Sequence, residues 1–265
     1  MKNMSLTVVK IGGNIIDDEH RMQHFLREFA AIPGAKVLVH GGGKLATQLA
    51  GQLGIEQRLI DGRRITDSET LRIAVMVYGG WINKRIVAGL HSLGCTAIGV
   101  CGADGDLIRA HKRRNTDIDY GWVGDVDTVN AALLDRLIGQ GLTPVVAPLS
   151  HDGAGQLLNT NADTIAQEIA QAMSTAFAVT LLFGFEKSGV LLDVNDETSR
   201  LPSLDERSYA DYKTRGIITA GMIPKLDNAF AALKKGVRKV VIGPAEQTTE
   251  LLAGRGGTTI TLQDD

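Results

Sequence analysis

The chain has 265 residues, of which 44% are hydrophobic and 22% charged, and carries a net charge of −2. That length buries a real core, either as one large α/β domain or as two modest lobes. The near-neutral balance speaks against nucleic acid or an acidic membrane as partner, and no run approaches the ~18–20 apolar residues of a membrane span.

The first run, Leu6-Thr-Val-Val-Lys10-Ile-Gly-Gly13, reads as a buried strand ending in glycines. Lys10 interrupts it, and a buried ammonium is costly unless something answers its charge. The alternative is an edge-strand lysine reaching solvent. Gly12 and Gly13 favour a ligand, because they leave bare backbone N–H groups beside that charge. The same interruption removes any signal-peptide pattern, so a cytoplasmic protein is expected. Asp17-Asp18-Glu19 then opens an amphipathic helix to about Ala31, acidic at its start as the helix dipole favours.

A second strand, Val37-Leu-Val-His40, ends in Gly41-Gly42-Gly43 and leads into a helix to about Leu53. A turn of positive φ explains one glycine there but not three; close approach of an anion to the amides explains the rest. His40 is expected to orient the loop, and Lys44 to be a solvated helix residue. No P-loop pattern is present, so this is phosphate chemistry of another design. Gly62-Arg63-Arg64-Ile65-Thr66 follows. One arginine here suits a bidentate carboxylate clamp, though paired arginines are also an ordinary solvated surface. Thr66-Asp-Ser-Glu69 resembles a capping box opening a long helix through Ile86.

Cys95 and Cys101 bound a strand-like run and are expected to be reduced core residues, with no metal spacing. Asp104 and Asp106 read as turn residues, and the basic stretch from Arg109 to Tyr120, with Lys112, Arg113 and Arg114, as a hairpin or solvated lid; Trp122 is expected to pack against a site. A helix is expected from Asp127, then a strand over 143–148 and a turn at Asp152-Gly153. Gly155-Gln-Leu-Leu-Asn159-Thr-Asn161-Ala-Asp163 opens a helix over 162–173. Asn161 is a natural N-cap, which leaves Asn159 and Asp163 as functional candidates. Strands at 177–183, 190–192 and 237–242 and helices near 205–214 and 222–235 complete the chain. Lys225 falls in the first turn of the last helix, where a cation is locally unfavourable unless an anion lies opposite; a surface lysine is the alternative. The βα alternation predicts a mostly parallel sheet covered on both faces, with ligands at the carboxyl ends of the strands.

Val9-Lys-Ile-Gly-Gly13, Val39-His-Gly-Gly-Gly43, Gly62-Arg-Arg-Ile-Thr66, Val123-Gly-Asp-Val126, Leu158-Asn-Thr-Asn-Ala-Asp163 and Gly216-Ile-Ile-Thr-Ala-Gly-Met222 with Lys225 together resemble the amino acid kinase family. They span nearly the whole chain in family order, and the His-Gly-Gly-Gly, Arg-Ile-Thr and Asn-x-Asn-Ala-Asp set narrows the resemblance to the branch acting on N-acylated glutamate. The resemblance implies a three-layer αβα sandwich on a mainly parallel open sheet. Residues 1–175 would form an acyl-amino-acid lobe that also dimerises, and 176–265 an ATP lobe. It implies that Lys10 and Lys225 stabilise the transferring phosphoryl group, that Asp163 holds both lysines, and that the amides of Gly12, Gly13 and Gly42 assist. Gly41, Gly42, Arg64 and Asn159 would bind the substrate. ATP would bring its own Mg2+, with no protein metal ligand, and the chain would be a homodimer acting on N-acetylglutamate or on a bulkier N-acylglutamate such as N-succinylglutamate.

Two departures fall near the nucleotide. Phe185-Glu-Lys-Ser-Gly189 places Glu186 where the family carries an Asp, and Ala220 stands where an Asp is common. The lack of an N-terminal extension helix points away from arginine feedback. Two other readings share these residues: a kinase of the same fold acting on aspartate, glutamate, carbamate or a nucleoside monophosphate, and a non-catalytic sensor of amino acid or nucleotide.

Overall fold

The computed structural model describes residues 4–60, 63–114, 117–218 and 221–262. Strand β1 (Ser5–Ile11) is fully paired and nearly all buried. Its period of two sends Leu6 and Val8 into one apolar layer and Val9 and Ile11 into the other. By the same parity Lys10 shares the face of Leu6 and Val8. Helices α1 (Gly13–Ile16) and α2 (Glu19–Ala31) follow; Asp18 caps α2 by accepting from the Arg21 amide. Then come β2 (Ala35–His40), α3 (Gly43–Gln52) and a small ribbon of β3 (Leu59–Ile60) and β4 (Arg63–Arg64).

Helix α4 (Ser68–Ala74) runs through a π-helical stretch, Val75–Ile82, into α5 (Asn83–Ser92). Its cap is Asp67, which accepts from the Thr70 amide, and not Thr66 as the capping-box pattern suggests. Thr66 is buried one residue earlier, its backbone tied to Tyr120 and Trp122. Strands β5 (Ala97–Val100), β6 (Ile108–Lys112) and β7 (Gly124–Val129) come next. The helix expected from Asp127 is therefore strand up to Val129, because antiparallel pairing with β6 captures that segment. Helix α6 (Ala131–Gly139) starts four residues later under an Asn130 cap.

The remaining elements are β8 (Thr143–Val146), β9 (Leu149–His151), β10 (Leu157–Asn159), α7 (Ala162–Met173), β11 (Ala178–Phe185), β12 (Ser203–Leu204), α8 (Glu206–Thr214), α9 (Ile223–Lys234), β13 (Lys239–Pro244), α10 (Thr248–Leu252) and β14 (Thr258–Ile260). The strand expected at 190–192 is reduced to a single bridge, Leu191 to Arg200.

Eight strands form one sheet in the order β12-β14-β13-β11-β1-β2-β8-β5. The run from β13 to β5 is parallel throughout; β14 reverses against β13 and carries β12 with it. One face is covered by α7 and α9, the other by α2, α5 and α10, giving three layers with an apolar core on each side of the sheet. β1 sits where the order turns back: β2, β8 and β5 lie to one side and β11, β13, β14 and β12 to the other. Such a switch point opens a crevice at the carboxyl ends of the strands. A second sheet, β10-β9-β6-β7, is built from segments leaving the ends of β5 and β8. Among the described residues no helix is long and apolar enough to cross a membrane.

Candidate active site

Lys10 is the penultimate residue of β1 and points to the layer that holds α7. Asp163 is the second residue of α7, and the Asn161 side chain caps that helix by accepting from the amides of Asp163 (2.8 Å) and Thr164 (3.1 Å). A carboxylate in the first turn is favoured by the helix dipole. Lys225 is the third residue of α9, which packs beside α7 and has proline in its first turn.

These placements bring three charges together. Lys10 Nζ lies 2.7 Å from Asp163 Oδ1, and Lys225 Nζ lies 3.6 Å from Oδ2. The Lys10 and Asp163 side chains are 9% and 12% exposed, while Lys225 keeps 25% of its surface in solvent. Burial pushes the Asp163 carboxyl up, but the two ammonium groups outweigh it and hold the group below the ordinary carboxylate value. The three residues thus form a cation–anion–cation clamp, open to solvent on its Lys225 side.

The glycine loops abut beside this clamp. The Gly41 N–H donates to Ile11 O at 2.9 Å, and a Cβ on Gly41 would lie 3.8 Å from Gly12 Cα. A Cβ on Gly12 would in turn lie 3.8 Å from Lys10 Nζ. Gly12 and Gly42 are the N-caps of α1 and α3, and neither helix has a side-chain cap. Their first-turn amides therefore face the crevice without an internal side-chain partner. Gly13 opens α1, and Lys44 crosses to Asn14, tying the two loops at their rim. Lys44 is exposed, as expected of a helix residue, but it is not idle.

Gly42 has φ +149°, and a Cβ there would come within 2.2 Å of Ile82 Cδ1 and 3.1 Å of the Tyr78 ring. Gly42→Ala is therefore expected to displace the π-helical segment or the loop. We expect kcat/KM to fall by about 10²-fold or more, as for a lost oxyanion donor, with a loss of about 1–3 kcal/mol in stability from overpacking. Steady-state kinetics and urea unfolding of the variant check both.

Arg64, on β4, lays its guanidinium against the first turn of α3. Its Nη2 donates to Gly43 O (2.9 Å) and Thr47 Oγ1 (2.8 Å), and its Nη1 to Gln57 Oε1. Asn159 Nδ2 donates to Thr66 Oγ1 at 3.0 Å, and Thr66 Oγ1 donates to Arg64 O at 3.2 Å. The Asn159 side-chain oxygen has the chemistry to accept an N–H. Arg64 and Asn159 are thus joined through Thr66, with the Arg64 head group against Gly43. Gly62 and Ala220 lie outside the described residues.

The C-terminal half adds a small cleft lined by Lys187, Gly189, Val190, Leu191, Ile218 and Met222. Met222 is the N-cap of α9, so the cleft reaches the helix that carries Lys225. Glu186 is exposed at its edge, and Lys187 is turned to Val194 O (3.1 Å) and Glu197 (3.2 Å). Sequence reasoning did not single out Tyr78, Ile82 or Asn83. Gly79-Gly80 inside an otherwise helical run is the one signal for the irregular turn that presents them.

Comparison with known proteins bears on the family and the fold. The model of the amino acid kinase family matches residues 5–244. The acetylglutamate kinase of Parabacteroides distasonis is 54% identical over 251 residues, covering 95% of this chain and 97% of that protein. The acetylglutamate kinase of Cytophaga hutchinsonii is 52% identical, covering 93% and 94%. Among solved structures, carbamate kinase from Giardia lamblia bound to AMP-PNP superposes with a TM-score of 0.73 at 12% identity, over 99% of this chain and 100% of that one. N-acetylglutamate synthase from Neisseria gonorrhoeae, complexed with coenzyme A and N-acetyl-glutamate, superposes with a TM-score of 0.82 at 20% identity, over 100% of this chain and 61% of that one. At such identities these structures speak to the fold alone. With a family model that runs through both glycine loops, the Asp163 clamp and Lys225, this chain belongs to the amino acid kinase family.

Proposed function

We propose that this protein is an acetylglutamate kinase, transferring the γ-phosphoryl group of MgATP to the side-chain carboxylate of N-acetyl-L-glutamate in arginine biosynthesis. The observation that carries the reading is the Lys10–Asp163–Lys225 clamp at the switch point of the sheet, with two uncapped glycine turns beside it.

The acceptor carboxylate is already ionised at neutral pH, with an ordinary pKa near ~4.3, so the reaction needs no general base. A carboxylate oxygen attacks Pγ, the bond from Pγ to the β,γ-bridging oxygen breaks, and ADP leaves with that oxygen. No proton moves. What the protein supplies is alignment and positive charge for the equatorial oxygens. Lys10 and Lys225 provide that charge, and the amides of Gly12, Gly13 and Gly42 direct it. Arg64 clamps the α-carboxylate, Asn159 accepts the acylamide N–H, and the bare Cα of Gly41 lets the substrate approach. The apolar side chains of Val190, Leu191, Ile218 and Met222 suit the flat face of an adenine ring in chemistry. Magnesium travels on the phosphates of the nucleotide.

We divide the work at the sheet's switch point: residues 1–175 hold the acyl-amino acid and 176–265 the nucleotide, with Lys10 and Lys225 meeting from the two sides. The protein acts in the cytoplasm as a homodimer. Trp81 (63% exposed) and Met76 (45%) on the π-helical stretch give an apolar surface for the second copy. Sedimentation as a monomer at micromolar concentration would contradict that assignment.

The test is an ATP-dependent hydroxamate assay with N-acetylglutamate, N-succinylglutamate, glutamate, aspartate and carbamate as acceptors. Turnover with N-acetylglutamate at least tenfold above the others is expected. A preference for N-succinylglutamate keeps the chemistry and changes the acyl group; no turnover with any acceptor, despite nucleotide binding, returns a sensor.

A further inference from the structure

His40 is completely buried at the end of β2, against the first residue of the glycine turn. Its Nδ1 lies 2.8 Å from Gly41 O. A carbonyl oxygen only accepts, so Nδ1 carries the proton. Its Nε2 lies 3.2 Å from Asn83 Nδ2, and that same amide nitrogen donates to Val145 O at 2.9 Å. Asn83 Oδ1 accepts from Lys84 Nζ at 3.1 Å, and Lys84 also donates to Gly99 O at 3.0 Å. Every polar atom of Asn83 is therefore used, and reversing its amide would set Oδ1 against Val145 O. The orientation of Asn83 forces Nε2 to accept, which leaves Nδ1 as the donor. Burial, with Lys84 nearby, depresses the imidazole pKa to about 4, so the ring stays neutral and the tautomer stays fixed at neutral pH. The cavity for Asn83 is made by Gly99, where a Cβ would fall 1.9 Å from Asn83 Oδ1.

Gly41 C=O and Gly42 N–H belong to one planar peptide unit, so holding the oxygen aims the amide at its other end. We infer that Asn83 and His40 are positioning residues for phosphoryl transfer: Asn83 sets the His40 tautomer, and His40 fixes the Gly41–Gly42 peptide so that the Gly42 amide points into the crevice beside Lys10. The inference rests on the proposed kinase reading, in which that amide serves the transferring group. The Gly41 N–H bond to Ile11 O holds the preceding peptide unit, so His40 supplies the second anchor of the turn.

Two near-isosteric variants separate this role from simple core packing. In His40→Asn the side-chain amide nitrogen replaces Nδ1 and keeps a donor for Gly41 O. In His40→Gln the amide reaches the Nε2 position and faces Asn83, leaving Gly41 O without a donor. Kinetics with ATP and N-acetylglutamate, alongside thermal unfolding, should rank them in opposite senses. His40→Asn is expected to keep kcat within about fivefold of the parent, and His40→Gln to lose roughly 10–100-fold in kcat. KM for both substrates should stay within about threefold in both, since the amide acts mainly in the transition state. Equal loss of kcat in the two His40 variants, or loss that tracks melting temperature, would overturn the inference. Wild-type protein inactive on every acceptor would instead defeat the kinase reading and leave the His40 geometry intact.

Discussion

Lys10→Met is expected to lower kcat by about 10²–10³-fold while leaving the fold in place. The magnitude is that of a single preorganised donor aimed at developing charge in a water-poor site. Lys10 qualifies on both counts: its side chain is 9% exposed, and a buried carboxylate fixes its direction at 2.7 Å. Methionine preserves the length and most of the volume, so β1 keeps its packing, and Asp163 keeps Lys225 as partner. The ammonium contributes most when charge spreads over the equatorial oxygens, so kcat should fall more than KM for ATP rises. Lys225→Met should lose less in stability, because its head group is already partly solvated. A thermal midpoint within a few degrees of the parent, together with single-turnover rates, checks that the loss lies in the chemical step. Turnover within tenfold of the parent would remove Lys10 from the reaction.

The parts of this site that lie within one β-strand and its turn were legible in the chain. Lys10 breaks an apolar run, Gly41-Gly42-Gly43 exceeds what a turn needs, and helix 162–173 follows from a cap and a clean period, with its bounds as found. The meeting of Lys10 with Lys225 was not readable from local pattern, since it depends on β11 lying against β1 and on α9 packing against α7; only the family resemblance anticipated it. Tertiary pairing overrode local pattern elsewhere too. Asp127 sits before a good helical sequence yet is claimed by the β6–β7 hairpin, and Thr66 loses the capping role to Asp67 because its own backbone bridges to Tyr120 and Trp122. Asn83 gave no signal at all, because an asparagine inside a helix is ordinary and its role exists only through β2 and Gly99.

Asp163→Ala is expected to be the most damaging of the clamp substitutions for catalysis. It leaves two ammonium groups facing one crevice with nothing between them. Unit charges about 6 Å apart repel by roughly 3 kcal/mol at an effective dielectric of about 20. The lysines can relieve this only by turning away, Lys225 most easily because its side is open to water. Both donors then lose their aim, and kcat should fall by about 10³-fold or more, the non-additive result of losing a shared anchor. ATP, being an anion, should bind no worse, so KM for ATP should stay level or drop. That pattern separates an anchor from a binding residue, for which KM would rise. Stability supplies an independent check with a definite sign. The folded-state pKa of Asp163 is lowered, so its contribution is present above the unfolded value near ~3.9 and is lost as pH falls through the folded value. Urea unfolding at neutral pH should show the variant weaker by about 1–3 kcal/mol, less than for a fully enclosed pair because Lys225 is partly solvated. The gap should narrow only below about pH 4, as the parent carboxylate takes up its proton. A gap that closes instead between pH 5 and 7 would mean that Asp163 titrates near neutrality, and the clamp would then lack its fixed negative centre.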